Sequence, residues 1–336
     1  MTRAKGVMEI AERPEPAEPG AGEVIVRPQA VGICGSDFHF FLGELGDGSE
    51  FPRVQGHEVG GTIEALGPDC RDELGVGDRV ALWPLSSCGH CYPCRVGRGN
   101  VCDNFRLIGI HDDGGLQERL RMPQTQVFRT SETRPALAAL AEPVSIAVRT
   151  VRRAAVTAGE HVVVLGAGPI GQAICLVARE RGAMVLVSDP VPARLELAAA
   201  MGAETVGSGD DVVALAREWS GGEGAEVVVD ATGAPDAIRA AVEIAASAGR
   251  VLIVGMSHHD VSLRVFAFTE KELDVLGVSC CQGDEFAEAV SFVESHSGEL
   301  ERLITQEFPL ERTAEALQYA MEHPAEAMKV VIDASD

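Results

Sequence analysis

Four of the nine cysteines in this 336-residue chain, Cys88, Cys91, Cys94 and Cys102, fall within the single run CGHCYPCRVGRGNVC. Thiolates at that spacing fold a short loop around one tetrahedral Zn²⁺. Four of them close the coordination sphere, so the metal staples a lobe and keeps no open position for chemistry. In an oxidising compartment the same run would read as a disulfide cluster. The chain opens MTRAKGVMEI, without an apolar leader, which points to a reducing, cytoplasmic setting and hence to metal.

A second group of donors lies upstream. GICGSDFHF carries Cys34, Ser36, Asp37 and His39, and VQGHEVGG carries His57 and Glu58. Singly, each has a plain reading: a buried small thiol, a serine capping a helix that starts at Asp37, a partly exposed histidine, a surface His-Glu pair. Their joint occurrence ahead of a nucleotide-binding pattern gives them weight.

That pattern is HVVVLGAGPIGQAICLVARERGAMVLVSD from His161, a buried strand, a glycine turn, a helix and a second strand ending in an acid. Gly166, Gly168 and Gly171 match G-x-G-x-x-G, with Pro169 and Ile170 opening the helix whose N-terminus faces a diphosphate. Asp189 stands where a carboxylate accepts from the adenosine ribose and repels a 2′-phosphate, so NAD is favoured over NADP. Arg194 is the competing signal, since an arginine there can hold that phosphate or simply pack over adenine. Thr232, after the strand AEVVVDATG, completes the expected cofactor set.

The elements that must position these groups divide the chain. Pro14, Pro16 and Pro19 and the short strands EVIVRPQAVG, HEVGGTIEALG and DRVALWPL mark a β-rich lobe over 1–142. Alternating strands and helices predict a parallel-sheet nucleotide domain over 143–281. Over 282–336, FAEAVSFVESHSG and EALQYAMEH have helical periodicity, and AMKVVIDA predicts a strand that rejoins the first lobe. Acids outnumber bases 51 to 28, a formal charge of −23 that disfavours nucleic acid and anionic lipid. Lys5, Lys271 and Lys329 are the only lysines, so no polybasic tract exists. Cys70 and Cys175 read as core thiols.

In order, GICGSDFHF, GHEVGG, CGHCYPCRVGRGNVC, AEPVSIAV and GAGPIG make the chain resemble the zinc-dependent medium-chain alcohol and polyol dehydrogenases over nearly its whole length. The sorbitol, threonine and sugar-acid dehydrogenase branch is the nearest. The resemblance implies an α/β protein with a discontinuous, β-rich GroES-like catalytic domain and a doubly wound parallel-sheet Rossmann domain. It implies two Zn²⁺ per chain, NAD as cofactor, and a homodimer or homotetramer. Cys34 and His57 would hold a catalytic zinc, with Glu142 as the resting carboxylate and Glu58 either an exchanging ligand or an outer acid. One thiolate, one carboxylate, one imidazole and a water leave the open position that catalysis needs, and zinc there acidifies a hydroxyl toward neutral pH. Ser36, a ribose hydroxyl and His39 would carry the proton away, and Asp37 would orient His57. The implied reaction moves hydride between a secondary alcohol, as in a polyol, amino-alcohol or sugar derivative, and NAD, giving a ketone.

Where many such relatives carry an arginine facing substrate oxygens, this chain reads GVSCCQGDEF, with Cys280 and Cys281. Losing that five-donor fork, with Phe38, Phe40, Phe41 and Trp83 nearby, points to a substrate less polar than a sugar acid. His111, His258 and His259 read either as pocket residues or as solvated loop histidines. The competing functional class is a nucleotide-binding protein whose zinc thiolates sense oxidant without turnover.

Overall fold

β-Branched residues dominate EVIVRPQAVG, and the run forms a strand over Glu23–Gly32 in which Val24, Val26 and Val31 are wholly buried. The computed structural model describes residues 1–45, 50–207, 211–257 and 259–335, and they form two compact units. The first unit comprises Met1–Ser145 and Cys280–Asp336, the second Ile146–Ser279.

In the first unit the Glu23–Gly32 strand is central to a mixed sheet. The strands run Ile304–Pro309, Lys329–Asp333, Glu23–Gly32, Glu58–Leu66, Arg79–Leu82, Val127–Arg129, and Leu120–Pro123 also pairs with Glu23–Gly32. The Lys329–Asp333 strand arrives from the far end of the chain and lies antiparallel on Ala30, Val31 and Gly32. Ile63, Leu82, Met122 and Ile332 fill the core beneath the sheet, each such side chain contributing roughly 1.5–3 kcal/mol by burial.

The second unit is a parallel sheet in the order Glu204–Gly207, Met184–Asp189, His161–Leu165, Ala225–Asp230, Ala245–Ile253, Asp274–Gly277. Numbered along the unit this is 3-2-1-4-5-6, the doubly wound order whose ligands bind at the carboxyl ends of the strands. Val162, Val163 and Val164 are wholly buried, as a strand covered on both faces requires. Proline opens the helices Pro169–Glu180, Pro192–Ala200 and Pro235–Ile244, where its missing N–H costs no helical bond. The α/β fold class expected from the alternation is therefore present. EIAASAG reads as more helix, yet the helix ends at Ile244 and Ala245 pairs with Ala225 in the sheet; tertiary pairing overrides alanine's helix propensity. Among the described residues no helix is long and apolar enough to cross a membrane.

Candidate functional site

Cys34 caps the short helix Gly35–Phe41, and Asp37 Oδ2 reaches back to accept the Cys34 backbone N–H at 3.0 Å. The helix therefore begins at Gly35, and Ser36 lies inside it rather than capping it. The Ser36 hydroxyl is instead 3.2 Å from His57 Nε2. His57 and Glu58, at the mouth of the Glu58–Leu66 strand, are 2% and 1% exposed. One ligand atom from each of Cys34, His57 and Glu58 lies within 4.8 Å of the others. Glu142, in the first turn of Ala141–Arg153, is near enough for its charge to act on His57, but it is outside that close trio.

Lys329 was not anticipated from sequence. Its ammonium donates to both oxygens of Glu58, at 2.7 and 2.8 Å, and to the Ile33 carbonyl at 3.1 Å. Gly32, paired with Glu58 on the next strand, leaves room for that carboxylate: a Cβ there would stand 2.0 Å from Glu58 Oε2. The available signal was a lone lysine in an apolar strand, which demands a buried acid as partner. Burial opposes the ammonium, but Glu58 above all holds its pKa up.

The pocket is rich in acidic groups: Asp37, Cys34 and Glu142 act on His57, and Glu58, Cys34 and Glu142 act on Lys329. Burial works against a charged His57, yet Asp37 first, then Cys34 and Glu142, raise its pKa well above the usual value. Burial pushes the Glu142 carboxyl up to about 7 against the pull of His57 and Lys329. Among the described residues His57 Nδ1 has no hydrogen-bond partner, and it faces Asp37 Oδ1 at 3.8 Å. A buried imidazole and carboxylate beside a half-buried thiol, in an acidic pocket, fit a divalent cation, and the thiolate-imidazole mixture fits Zn²⁺.

The cysteine cluster fits a second Zn²⁺. The Sγ atoms of Cys91 and Cys94 are 3.4 Å apart, Cys91 and Cys102 3.6 Å, and Cys88 and Cys102 3.4 Å. A disulfide would need about 2 Å, whereas a tetrahedron with ~2.3 Å zinc–sulfur bonds has edges of ~3.8 Å. The N–H groups of Cys88 and Asn104 donate to Cys102 Sγ at 3.2 and 3.3 Å, as they would to a thiolate. Donation from the backbone of His90 and Cys91 lowers the Cys88 thiol to about 6.

In the nucleotide unit the glycine turn is sterically obligatory. Gly166 has φ +101°, and a Cβ on Gly171 would sit 1.9 Å from the Gly166 carbonyl oxygen. Gly171→Ala should therefore cost roughly 1–3 kcal/mol by overpacking, read as a lower urea midpoint. Around Gly168 a Cβ would meet nothing within 4 Å, and this open cradle caps the helix Pro169–Glu180 without any side-chain cap. Pro169 and Ile170 form its first turn. Its free N–H groups suit a diphosphate. Asp189 Oδ2 accepts from Ala167 N–H at 2.7 Å and Oδ1 from Val191 N–H at 2.8 Å, with Arg194 Nη1 3.6 Å from Oδ2. Thr232 donates through its hydroxyl and N–H to Asp230 Oδ1, at 2.6 and 3.0 Å. Asp230, wholly buried, thus builds the turn beside the glycines and was missed from sequence.

Other residues take plainer places. Ser36 and His39 share a helix face three residues apart, and His39 Nδ1 is 2.8 Å from Glu44 Oε2 at the half-exposed end. His111 Nδ1 accepts from Leu107 N–H at 3.1 Å and its ring meets Phe105 edge-on, so it builds its own loop. His259 is exposed, and His258 lies outside the described residues. Phe40 is wholly buried with Phe51 against it, and Phe38 and Phe41, partly buried, pack on the core. Cys70 donates to the Glu23 carbonyl, and Cys175 and Cys281 are buried.

The chain matches the alcohol dehydrogenase GroES-like domain over residues 20–132 and the zinc-binding dehydrogenase domain over residues 169–295. It is 34% identical to L-galactonate-5-dehydrogenase of Escherichia coli K12, covering 94% of this chain and 92% of that one. An Escherichia coli CFT073 structure described as a short chain alcohol dehydrogenase, complexed with NADH, superposes with a TM-score of 0.89 at 31% identity, over 99% of this chain and 97% of the other. A zinc-binding dehydrogenase of Sinorhizobium meliloti bound to NADP gives 0.90 at 31%, with the same coverages. With its clustered thiol, imidazole and carboxylates in one unit and its glycine cradle in the other, the chain belongs to the zinc-type medium-chain alcohol and polyol dehydrogenases.

Proposed function

We propose that this protein is a zinc- and NAD-dependent dehydrogenase that oxidises a secondary alcohol, as in a polyol, amino-alcohol or sugar derivative, to a ketone. The observation that carries the reading is the trio Cys34, His57 and Glu58, with the half-buried thiol beside the buried imidazole and carboxylate in an acidic pocket. A zinc-thiolate sensor has no use for those carboxylates.

Cys34 and His57 would hold the catalytic metal. Lys329 already engages both Glu58 oxygens, which supports Glu142 as the carboxylate that completes the donor set and Glu58 as the acid that exchanges or stands behind it. Zinc so held is a Lewis acid that lowers the pKa of a hydroxyl it binds, and NAD, when bound, accepts hydride. The chain's own part is to orient and to move the proton. Ser36 Oγ accepts it beside His57, and the His39 imidazole, backed by Glu44, passes it to water. Cys88, Cys91, Cys94 and Cys102 would hold a purely structural zinc. The same reading includes a homodimer or homotetramer in the cytoplasm.

Asp189 supports NAD over NADP, because its carboxylate repels a 2′-phosphate and offsets the nearby Arg194. Asp189→Ala should raise the KM for NAD by roughly 10–150-fold, the worth of a hydrogen bond to a charged group, while the NADP value falls relative to it. An unchanged cofactor ratio would refute that assignment. The central test is a screen of polyols, amino-alcohols and sugar alcohols for NADH absorbance, with zinc counted by atomic emission. Expected are turnover on a secondary alcohol, two zinc per chain, and loss of one zinc with all turnover in Cys34→Ser. One zinc in the wild type and no turnover would overturn the reading.

A further inference from the structure

A line of buried polar side chains outside the donor set ends on Asp37. The Thr2 hydroxyl donates to Gln55 Oε1, and Gln55 Nε2 donates to the Asp37 carbonyl at 2.9 Å and to its carboxylate Oδ1 at 3.2 Å. Thr2 is 0%, Gln55 1% and Asp37 3% exposed. The polarity is fixed, since a carboxylate can only accept and the amide oxygen is already taken by the hydroxyl. Thr2 is itself clamped: its N–H donates to the Arg53 carbonyl at 2.8 Å, and Arg53 N–H returns the bond at 2.9 Å. The segment so held leads directly into His57.

Asp37 is the hub. One oxygen accepts from the Cys34 N–H and the other faces His57 Nδ1, so its rotamer sets both donors at once. No other described hydrogen bond reaches the Asp37 Oδ1 atom from a side chain except that of Gln55. Without Gln55 the carboxylate keeps its grip on the helix cap but loses the contact that turns Oδ1 toward the imidazole.

We propose that Gln55 and Thr2 are positioning residues for the catalytic metal: acting through Asp37, they preset Cys34 and His57 and thereby govern how tightly that site keeps its zinc. The inference rests on the zinc-dehydrogenase reading above. It assigns a function to the strand Thr2–Ala4, which among the described residues otherwise pairs with Val7–Met8 and Arg53.

The cysteine cluster supplies an internal control, because a merely structural loss would loosen both metals together. The zinc-loaded protein and its Gln55→Leu, Thr2→Val and Thr2→Ser variants are mixed with excess chelator, and release is followed with a chromogenic zinc indicator. Loss of an outer partner typically costs 10–100-fold in metal affinity. Gln55→Leu should therefore release one zinc about tenfold or more faster while the other leaves at the wild-type rate. Thr2→Val should move the same phase by a smaller factor, and Thr2→Ser, which keeps the hydroxyl, should restore it. In Co²⁺-substituted protein, the visible bands of the mixed-donor site should shift in Gln55→Leu and those of the four-thiolate site should not. Equal acceleration of both phases, or wild-type release in all variants, overturns the inference. Should Gln55→Leu fail to fold, the Thr2→Val and Thr2→Ser pair decides the matter. A wild-type chain that keeps zinc only at the cysteine cluster instead overturns the dehydrogenase reading, and this inference falls with it.

Discussion

Lys329→Met will destabilise the protein by about 3–5 kcal/mol, the usual cost of leaving one member of a buried ion pair without its partner. Methionine matches lysine in length and fills the same space, so the loss isolates charge from packing. In Lys329→Met the Glu58 carboxylate, 1% exposed, would lose all of the described donors to its two oxygens. Lys329→Arg should recover part of the loss, because the position is 4% exposed and a guanidinium is larger. Lys329→Met combined with Glu58→Leu should recover most of it, since replacing both partners of a buried pair by apolar groups is often neutral. Urea unfolding of the four proteins in chelator measures these differences. A Lys329→Met loss below about 1 kcal/mol would place this pair with the weak surface bridges and refute the argument.

Cys102→Ser should strip the cysteine cluster of its metal while sparing the other site. Cys102 is the most buried of the four, accepts two backbone N–H bonds, and lies within 3.6 Å of Cys88 and Cys91 through sulfur. Zinc held by such sets contributes about 10–16 kcal/mol of apparent binding energy in small zinc-dependent peptides, so removing one thiolate should cost several orders of magnitude in retention. The expected readout is a fall of one zinc per chain and rapid proteolysis within residues 88–104. Resistance equal to wild type, with both zinc atoms retained, would show that the loop holds itself together through hydrogen bonds alone.

Features that depend on near neighbours were legible in the sequence. The cysteine run declares itself because its members lie within fifteen residues, and the glycine turn because strand, turn and helix follow one another without interruption. The strand Lys329–Asp333 was legible as a strand, but the purpose of its first residue was not, because Glu58 lies 271 positions away. Gln55 was opaque for the same reason: nothing local tells a buried amide that its partners are Thr2 and Asp37. The short edge strand Glu204–Gly207 buries only Val206, too little to display a period of two. The inward turn of Phe40 was not legible, because an apolar residue beside candidate ligands can pack into the core or face a pocket.

The pairing of Glu58 with Lys329 also sets an order of events during biosynthesis. Strands of the second unit are complete by Gly277, while the first unit lacks its Lys329–Asp333 strand until residues 329–333 emerge. At roughly 5–20 residues per second, the 271 positions between acid and base represent some tens of seconds in which the nascent carboxylate must stay hydrated. During that interval only the Ala30–Gly32 end of the Glu23–Gly32 strand keeps an unpaired edge, a target for chaperones and for misassociation between ribosome-bound copies.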